Sequence, residues 1–149
     1  MEIERKFLVE RLPENLAQYA QKHIEQAYLC TDPVVRVRRS DDEYYLTYKG
    51  RGMLEREEHN LRLDRESYGH LRQKADGSII AKTRYLIPLA EVTVELDVFL
   101  PPFAPLVLAE VEFETREQAE AFRPPAWFGR EVTYDPAYSN AALSRRGRA

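Results

Sequence analysis

Apolar and charged residues alternate with a period of two along most of this chain, and that alternation predicts strands. It recurs in eight segments: residues 2–9, 24–30, 34–39, 43–49, 54–63, 79–87, 91–100 and 107–114. Turn-forming triplets, Thr31-Asp32-Pro33, Ser40-Asp41-Asp42 and Gly50-Arg51-Gly52, separate several of them. The gaps read as helices over residues 13–22, 64–74, 115–122 and 138–144. Thr115 followed by Gln118 has the spacing of a capping box at the start of the third. This order of elements predicts a β-dominated α+β fold: a closed eight-stranded antiparallel β-barrel with helices packed outside. No internal repeat or linker divides the chain, which reads as one domain over residues 1–149.

Sorting the strands by face shows what the alternation carries. Residues i and i+2 of a strand share a face and lie about 6.6 Å apart. The first strand sets Glu2, Glu4 and Lys6 against Ile3, Phe7 and Val9. Later strands set Arg36 and Arg38 against Val35 and Val37, and Lys82 and Arg84 against Ala81 and Tyr85. Near the C-terminal end, Glu95 and Asp97 oppose Leu96 and Val98, and Glu110 and Glu112 oppose Val111 and Phe113. A wet face alone would explain one such strand. It explains the set less well, because solvated faces mix signs and several of these strands are single-signed. Two carboxylates at that spacing repel by about 2.5 kcal/mol at an effective dielectric near 20, a cost that a bound cation removes.

If the helices cover the apolar faces, the charged faces line the barrel, where unneutralised charge is costly. The basic set is Lys6, Arg36, Arg38, Lys49, Arg56, Lys82 and Arg84, and it calls for a polyanion. The acidic set is Glu2, Glu4, Glu58, Glu95, Asp97, Glu110 and Glu112, and it calls for hard divalent cations with oxygen ligands. Together they describe a metal-bound polyphosphate.

Bulk properties narrow the setting. A net charge of −3 argues against a broad nucleic-acid surface, and Arg145, Arg146 and Arg148 read as a solvated tail. The one cysteine, Cys30, allows no internal disulfide and lies in no catalytic motif. There is no membrane-length apolar run and no signal-peptide core, so the expected setting is the cytoplasm. His23, His59 and His70 lack zinc-ligand spacing, and Gly50-Arg51-Gly52 lacks the lysine of a phosphate-binding loop.

With these residues in place, the sequence resembles the CYTH superfamily, the triphosphate tunnel metalloenzymes. The resemblance begins with EIERKF, which fits the family's E-x-E-x-K signature. It continues in order through QAYL, VRVRR, YYLTYK, AKTRY, VELDVF and LAEVEFE, and ends in PPAWFGREVT and YSNAAL. The ending is similar to short bacterial members that hydrolyse inorganic triphosphate. The resemblance implies a tunnel open at both ends. Glu2, Glu4, Glu110 and Glu112 would hold Mg²⁺ or Mn²⁺, and Glu95 and Asp97 would support a second ion or its waters. Lys6, Arg36, Arg38, Lys49, Lys82 and Arg84 would bind phosphate oxygens. Tyr28 matches a tyrosine assigned as proton acceptor in some members, with a plain hydrogen-bonding role as the alternative. One position departs from the pattern: Asn60 stands where many members carry a glutamate, two residues beyond Glu58. Inorganic triphosphate is the expected substrate. A nucleoside or thiamine triphosphatase, a class IV adenylate cyclase and a non-catalytic polyphosphate-binding module are the other readings. A homodimer is the one assembly kept open.

Overall fold

The structure is a computed structural model, and it describes residues 1–146. Nine strands form one antiparallel sheet: β1 (Glu2–Leu8), β2 (Ala20–Thr31), β3 (Val34–Ser40), β4 (Glu43–Lys49), β5 (Glu55–Arg56), β6 (Glu58–Leu63), β7 (Ile80–Leu89), β8 (Val92–Phe99) and β9 (Val107–Phe113). Their order is β5-β1-β9-β8-β7-β2-β3-β4-β6. The two ends of that order, β5 and β6, are consecutive in the chain with only Glu57 between them. The sheet therefore curls until one short stretch of chain touches both of its edges, giving a nearly closed barrel. Closure removes the exposed strand edges that an open sheet would carry.

Two expectations about the strands change. The segment 54–63 is not one strand but two, because β5 pairs with β1 and β6 pairs with β4. The chain crosses from one pairing partner to the other at Glu57, whose carbonyl accepts from the Gly50 amide at 2.9 Å. Hence the count is nine rather than eight. The helix expected over residues 13–22 is also absent. A single 3₁₀ turn, Leu16–Gln18, follows Asn15 at φ 57°, a left-handed conformation incompatible with a helix interior. Residues 20–22 instead pair with Leu86, Tyr85 and Arg84 of β7. Ladder hydrogen bonds there outweigh a weak local preference for helix.

Helices α1 (Arg65–Arg72) and α2 (Arg116–Ala121) start where their caps require. Asp64 accepts from the Ser67 amide at 2.7 Å, and Thr115 and Gln118 cap each other reciprocally. Both helices lie outside the barrel. Behind α2, Ile3, Phe7, Leu96, Val111 and Phe113 form the larger core with Ala119 and Phe128. Behind α1, Ala27 and Val37 pack on Tyr68. The apolar faces are thus covered from outside, and the opposite faces of the same strands point into the barrel.

The third helix, α3 (Asn140–Arg146), is placed differently. Its Ala141 and Leu143 are buried with Tyr28, Ile80, Phe99 and Leu108. Those strand residues are in register with inward-facing positions, so α3 packs across one end of the barrel. The tunnel expected to be open at both ends is covered at that end by the chain's own C-terminal segment. Of the basic tail, Arg145 donates to Thr31 at 2.7 Å, and Arg148 lies outside the described residues.

Candidate active site

Strand register brings the charged positions together. Directly paired residues of adjacent antiparallel strands point to the same face. On the inward face the pairs are Glu4 with Glu112, Lys6 with Glu110, Glu95 with Glu110, and Arg84 with Asp97. The opposite wall adds Tyr28 with Arg36, Lys49 with Glu58, and Glu2 with Arg56. A cavity of about 420 Å³ lies within this surface. Lys6, Arg36, Arg38, Lys49, Arg56 and Arg84 line it together with Glu4, Tyr28 and Glu110. Lys82 does not reach the cavity; it is completely buried behind it. Glu95 and Glu112 line a second concavity together with Leu86 and Phe122.

The carboxylates divide into two kinds. Asp97 is a counter-ion, fully buried, with Arg84 donating to its two oxygens at 2.7 and 2.9 Å. Lys82 Nζ is 2.6 Å from Asp97 Oδ2. Burial lowers the Lys82 ammonium to about 8 although Asp97 opposes the shift. Burial by itself would raise Asp97, and Arg84 and Lys82 outweigh it to hold that carboxyl below its ordinary range. Glu110 sits between Lys6 at 3.6 Å and Arg84 at 3.7 Å, and these cations likewise overcome burial and keep it strongly acidic.

The second kind faces other carboxylates. Burial first, and then Glu4, pushes Glu2 up to about 8 even though Lys49 donates to it at 3.0 Å. Its neighbour Glu58 takes the opposite shift, held low by Glu2, Lys49 and Asn60 against its own burial. Glu112 is raised by burial and by Glu95, Glu58 and Glu4. Glu95 is raised mainly by burial, although Arg84 donates to it at 3.0 Å and opposes the shift. Five glutamates, at positions 2, 4, 58, 95 and 112, therefore crowd one region of the inner wall. Among the described residues no three Asp, Glu, His or Cys side chains stand in a metal-holding arrangement. The donor chemistry nevertheless fits a hard cation, since carboxylate oxygens held against one another lose their repulsion when one binds.

This crowding has a measurable consequence. Glu2, Glu95 and Glu112 bind protons more tightly folded than unfolded, so their contribution to stability is full below the ordinary carboxylate range. It is lost as pH rises through their folded values, about 8 for Glu2. Asp97 and Glu110 have the opposite sign, but their contribution is complete above about pH 4.5. Metal-free protein is therefore expected to melt several degrees lower at about pH 7.5 than at about pH 5, and Glu2→Gln should flatten the trend. A melting temperature that rises over this range in calorimetry would contradict the assignment.

The cations are less evenly matched. Arg38 is held by Gln26, whose Oε1 accepts from Nε at 2.8 Å and from a terminal nitrogen at 2.6 Å. Burial, then Arg36 and Arg84, lowers the Arg38 guanidinium to about 9. Arg36 is 6% exposed, and among the described residues it has no ion pair and no hydrogen-bond acceptor for its Nε. A buried guanidinium left this way is costly unless an anion binds it.

Some of these supports were not visible in the sequence. Gln26 points inward but carries no charge to mark it, whereas the alternation in β4 does put Thr47 on the face of Lys49, opposite Leu46 and Tyr48. Thr47 donates to Asn60 Oδ1 at 2.6 Å, and Asn60 donates to Glu58 at 2.9 Å. Asn60 thus steadies Glu58 rather than accepting from a cation. Ser139 and Asn140 also line the cavity, brought there by α3. The YSNAAL motif marked this stretch without indicating that it faces the charged interior.

The fold and the charged interior are those of a known class. The chain matches the CYTH domain over residues 1–141, and it belongs to that family. It is similar to the inorganic triphosphatase of Nitrosomonas europaea, 41% identical over 147 residues that cover 96% of this chain and 96% of that protein. The inorganic triphosphatase of Acetivibrio thermocellus is 36% identical over 148 residues, covering 95% and 92% of the two chains. The structure aligns with the crystal structure of an inorganic triphosphatase at a TM-score of 0.72 and 38% identity, covering 97% of this chain and 94% of that one.

Proposed function

We propose that this chain is a divalent-metal-dependent triphosphatase that hydrolyses inorganic triphosphate to diphosphate and phosphate inside the barrel. The observation that carries this reading is Arg36, a buried guanidinium without a counter-ion among the described residues, in a cavity of about 420 Å³ lined by six further cations. The similarity to two inorganic triphosphatases supports the same substrate.

Phosphoryl transfer asks a protein mainly for positioning and charge stabilisation. Arg36, Arg38, Lys6, Lys49 and Arg56 bind the phosphate oxygens. Arg84, oriented by Asp97, faces the charge that develops on the leaving diphosphate. Lys82 keeps Asp97 ionised and is assigned to that support rather than to direct contact. The Tyr28 hydroxyl, which accepts weakly from Gln26 at 3.4 Å, hydrogen-bonds a phosphate oxygen. Glu4 and Glu112 would hold a divalent ion, Mg²⁺ or Mn²⁺, with Glu2 and Glu110 beside them. That ion, when bound, supplies Lewis-acid polarisation of phosphate oxygens. Glu58 and Glu95 add negative charge around it, and both oxygens of Asp97 are already taken by Arg84. A cytoplasmic setting, without nucleic acid or membrane as partner, agrees with the lone exposed cysteine and the acidic net charge. No helix among the described residues is long and apolar enough to cross a membrane.

The test is phosphate release from tripolyphosphate, ATP and thiamine triphosphate with Mg²⁺ or Mn²⁺. Turnover of tripolyphosphate is expected to exceed the other two by roughly tenfold or more, because α3 packs across one end of the barrel and leaves less room for a group beyond the phosphates. Tyr28→Phe should lower the rate without moving its pH optimum. Equal rates on all three would refute a dedicated inorganic triphosphatase, and binding without release would make the chain a polyphosphate-binding module.

A further inference from the structure

The C-terminal helix brings one polar side chain to the cavity that nothing else in the fold employs. Asn140, the first residue of α3, lines the cavity beside the basic set. Its Oδ1 is buried without a hydrogen-bond partner, and its carboxamide makes no hydrogen bond among the described residues. A side chain at this position would ordinarily serve its own helix, but that role is filled. Ser139 Oγ accepts from the Ala142 amide at 3.1 Å, and the Ser139 carbonyl accepts from the Leu143 amide at 2.9 Å.

The position of Asn140 is also firmly held. Ala141 and Leu143 seat α3 against Tyr28 and Ile80 in the buried cluster at this end of the barrel. Two residues earlier, the Tyr138 carbonyl accepts from Lys6 Nζ at 3.2 Å, tying the same stretch to a cation of the cavity. The orphan Oδ1 is an acceptor and offers a phosphate nothing, but the Nδ2 of the same carboxamide, also without a hydrogen bond among the described residues, is a donor that a phosphate oxygen accepts.

We propose that Asn140 is a substrate-positioning residue that donates its carboxamide N–H to a phosphate oxygen of the bound triphosphate, so that α3 reads the end of the substrate nearest to it. The inference rests on the triphosphatase reading above and adds the residue that fixes substrate position along the barrel.

The experiment compares wild type, Asn140→Asp and Asn140→Ala by calorimetric binding of inorganic triphosphate without metal, by kcat and KM with metal, and by thermal melting. The two variants are read together. Aspartate keeps the size of the side chain and is favourable in a first helical turn, so melting should not fall, but its charge repels triphosphate from any position on the cavity wall, and weakened binding counts for the proposal only together with a loss in the uncharged Asn140→Ala. A phosphate-facing role predicts unchanged melting with Kd and KM raised roughly tenfold or more, because a carboxylate then faces the anion. Asn140→Ala is expected to weaken binding about twofold to tenfold, the loss of one hydrogen bond, with kcat nearly kept. Binding of triphosphate by Asn140→Asp within twofold of wild type would overturn the proposal and leave the triphosphatase reading intact. Wild-type binding without turnover would fail that reading while the binding data still decide the role of Asn140. Absence of wild-type binding would overturn both.

Discussion

Replacing Arg36 with methionine is expected to lower kcat/KM for tripolyphosphate by roughly 10²–10³-fold while leaving the melting temperature of the free protein unchanged or higher. The direction of the two effects comes from one fact. Arg36 is buried, and among the described residues it has no carboxylate beside it and no acceptor for its Nε. Arg38, which shares the inner wall with it, is a further cation rather than a counter-ion. Methionine is unbranched and adaptable and fills the same channel without that charge. Most buried charges behave otherwise: taking away Asp97 would leave Lys82 without its ion-pair partner and Arg84 with only Glu95 and Glu110, and would destabilise the fold. The same calorimetry should show the shift caused by excess triphosphate in wild type and its loss in Arg36→Met. Full turnover in a folded Arg36→Met protein would remove the main support for the phosphate-binding assignment.

Glu4→Gln is expected to reduce metal-dependent turnover by about 10³-fold or more without lowering the stability of the metal-free protein. Glu4 faces Glu112 directly across β1 and β9, and like charges placed directly opposite in a sheet are destabilising. Burial and the nearby carboxylates already raise Glu112 and Glu2, so removing one charge relieves strain in the free protein. Glutamine keeps the shape but is a far weaker ligand for a hard cation. Binding of triphosphate without metal should persist, because the basic wall is untouched. A Glu4→Gln protein with wild-type turnover would show that the ion, if one acts, is held elsewhere.

How much of this was legible in the sequence depends on what a one-dimensional pattern can carry. The period-two sorting separated the inner face from the outer one correctly, because burying Ile3, Phe7, Leu96 and Val111 under α2 leaves their neighbours nowhere to point but inward. The chemistry of the interior, basic residues with carboxylates, was legible for the same reason. The pairing was not. Asp97 and Glu95 look alike in VELDVF and both accept from Arg84, but only the register places Asp97 directly opposite it, with both oxygens engaged and Lys82 beside them. Glu110 and Glu112 look alike in LAEVEFE, yet one lies between Lys6 and Arg84 while the other faces Glu4. The split at Glu57 was hidden because an alternating run does not say which edge each half will pair with. The role of α3 was hidden too: Ala141 and Leu143 give the same apolar signal whether the helix lies outside the barrel or across its end.

The central claim is that one barrel interior holds a triphosphate on its arginines and a divalent ion on its glutamates. The most direct measurement is the anomalous scattering of Mn²⁺ in crystals grown with tripolyphosphate and the Glu4→Gln protein as control. The predicted result is triphosphate density against Arg36 and Arg38 and a manganese peak at Glu4 and Glu112, with that peak lost in Glu4→Gln while the triphosphate stays. Triphosphate bound outside the barrel, or manganese coordinated away from both glutamates, would contradict it.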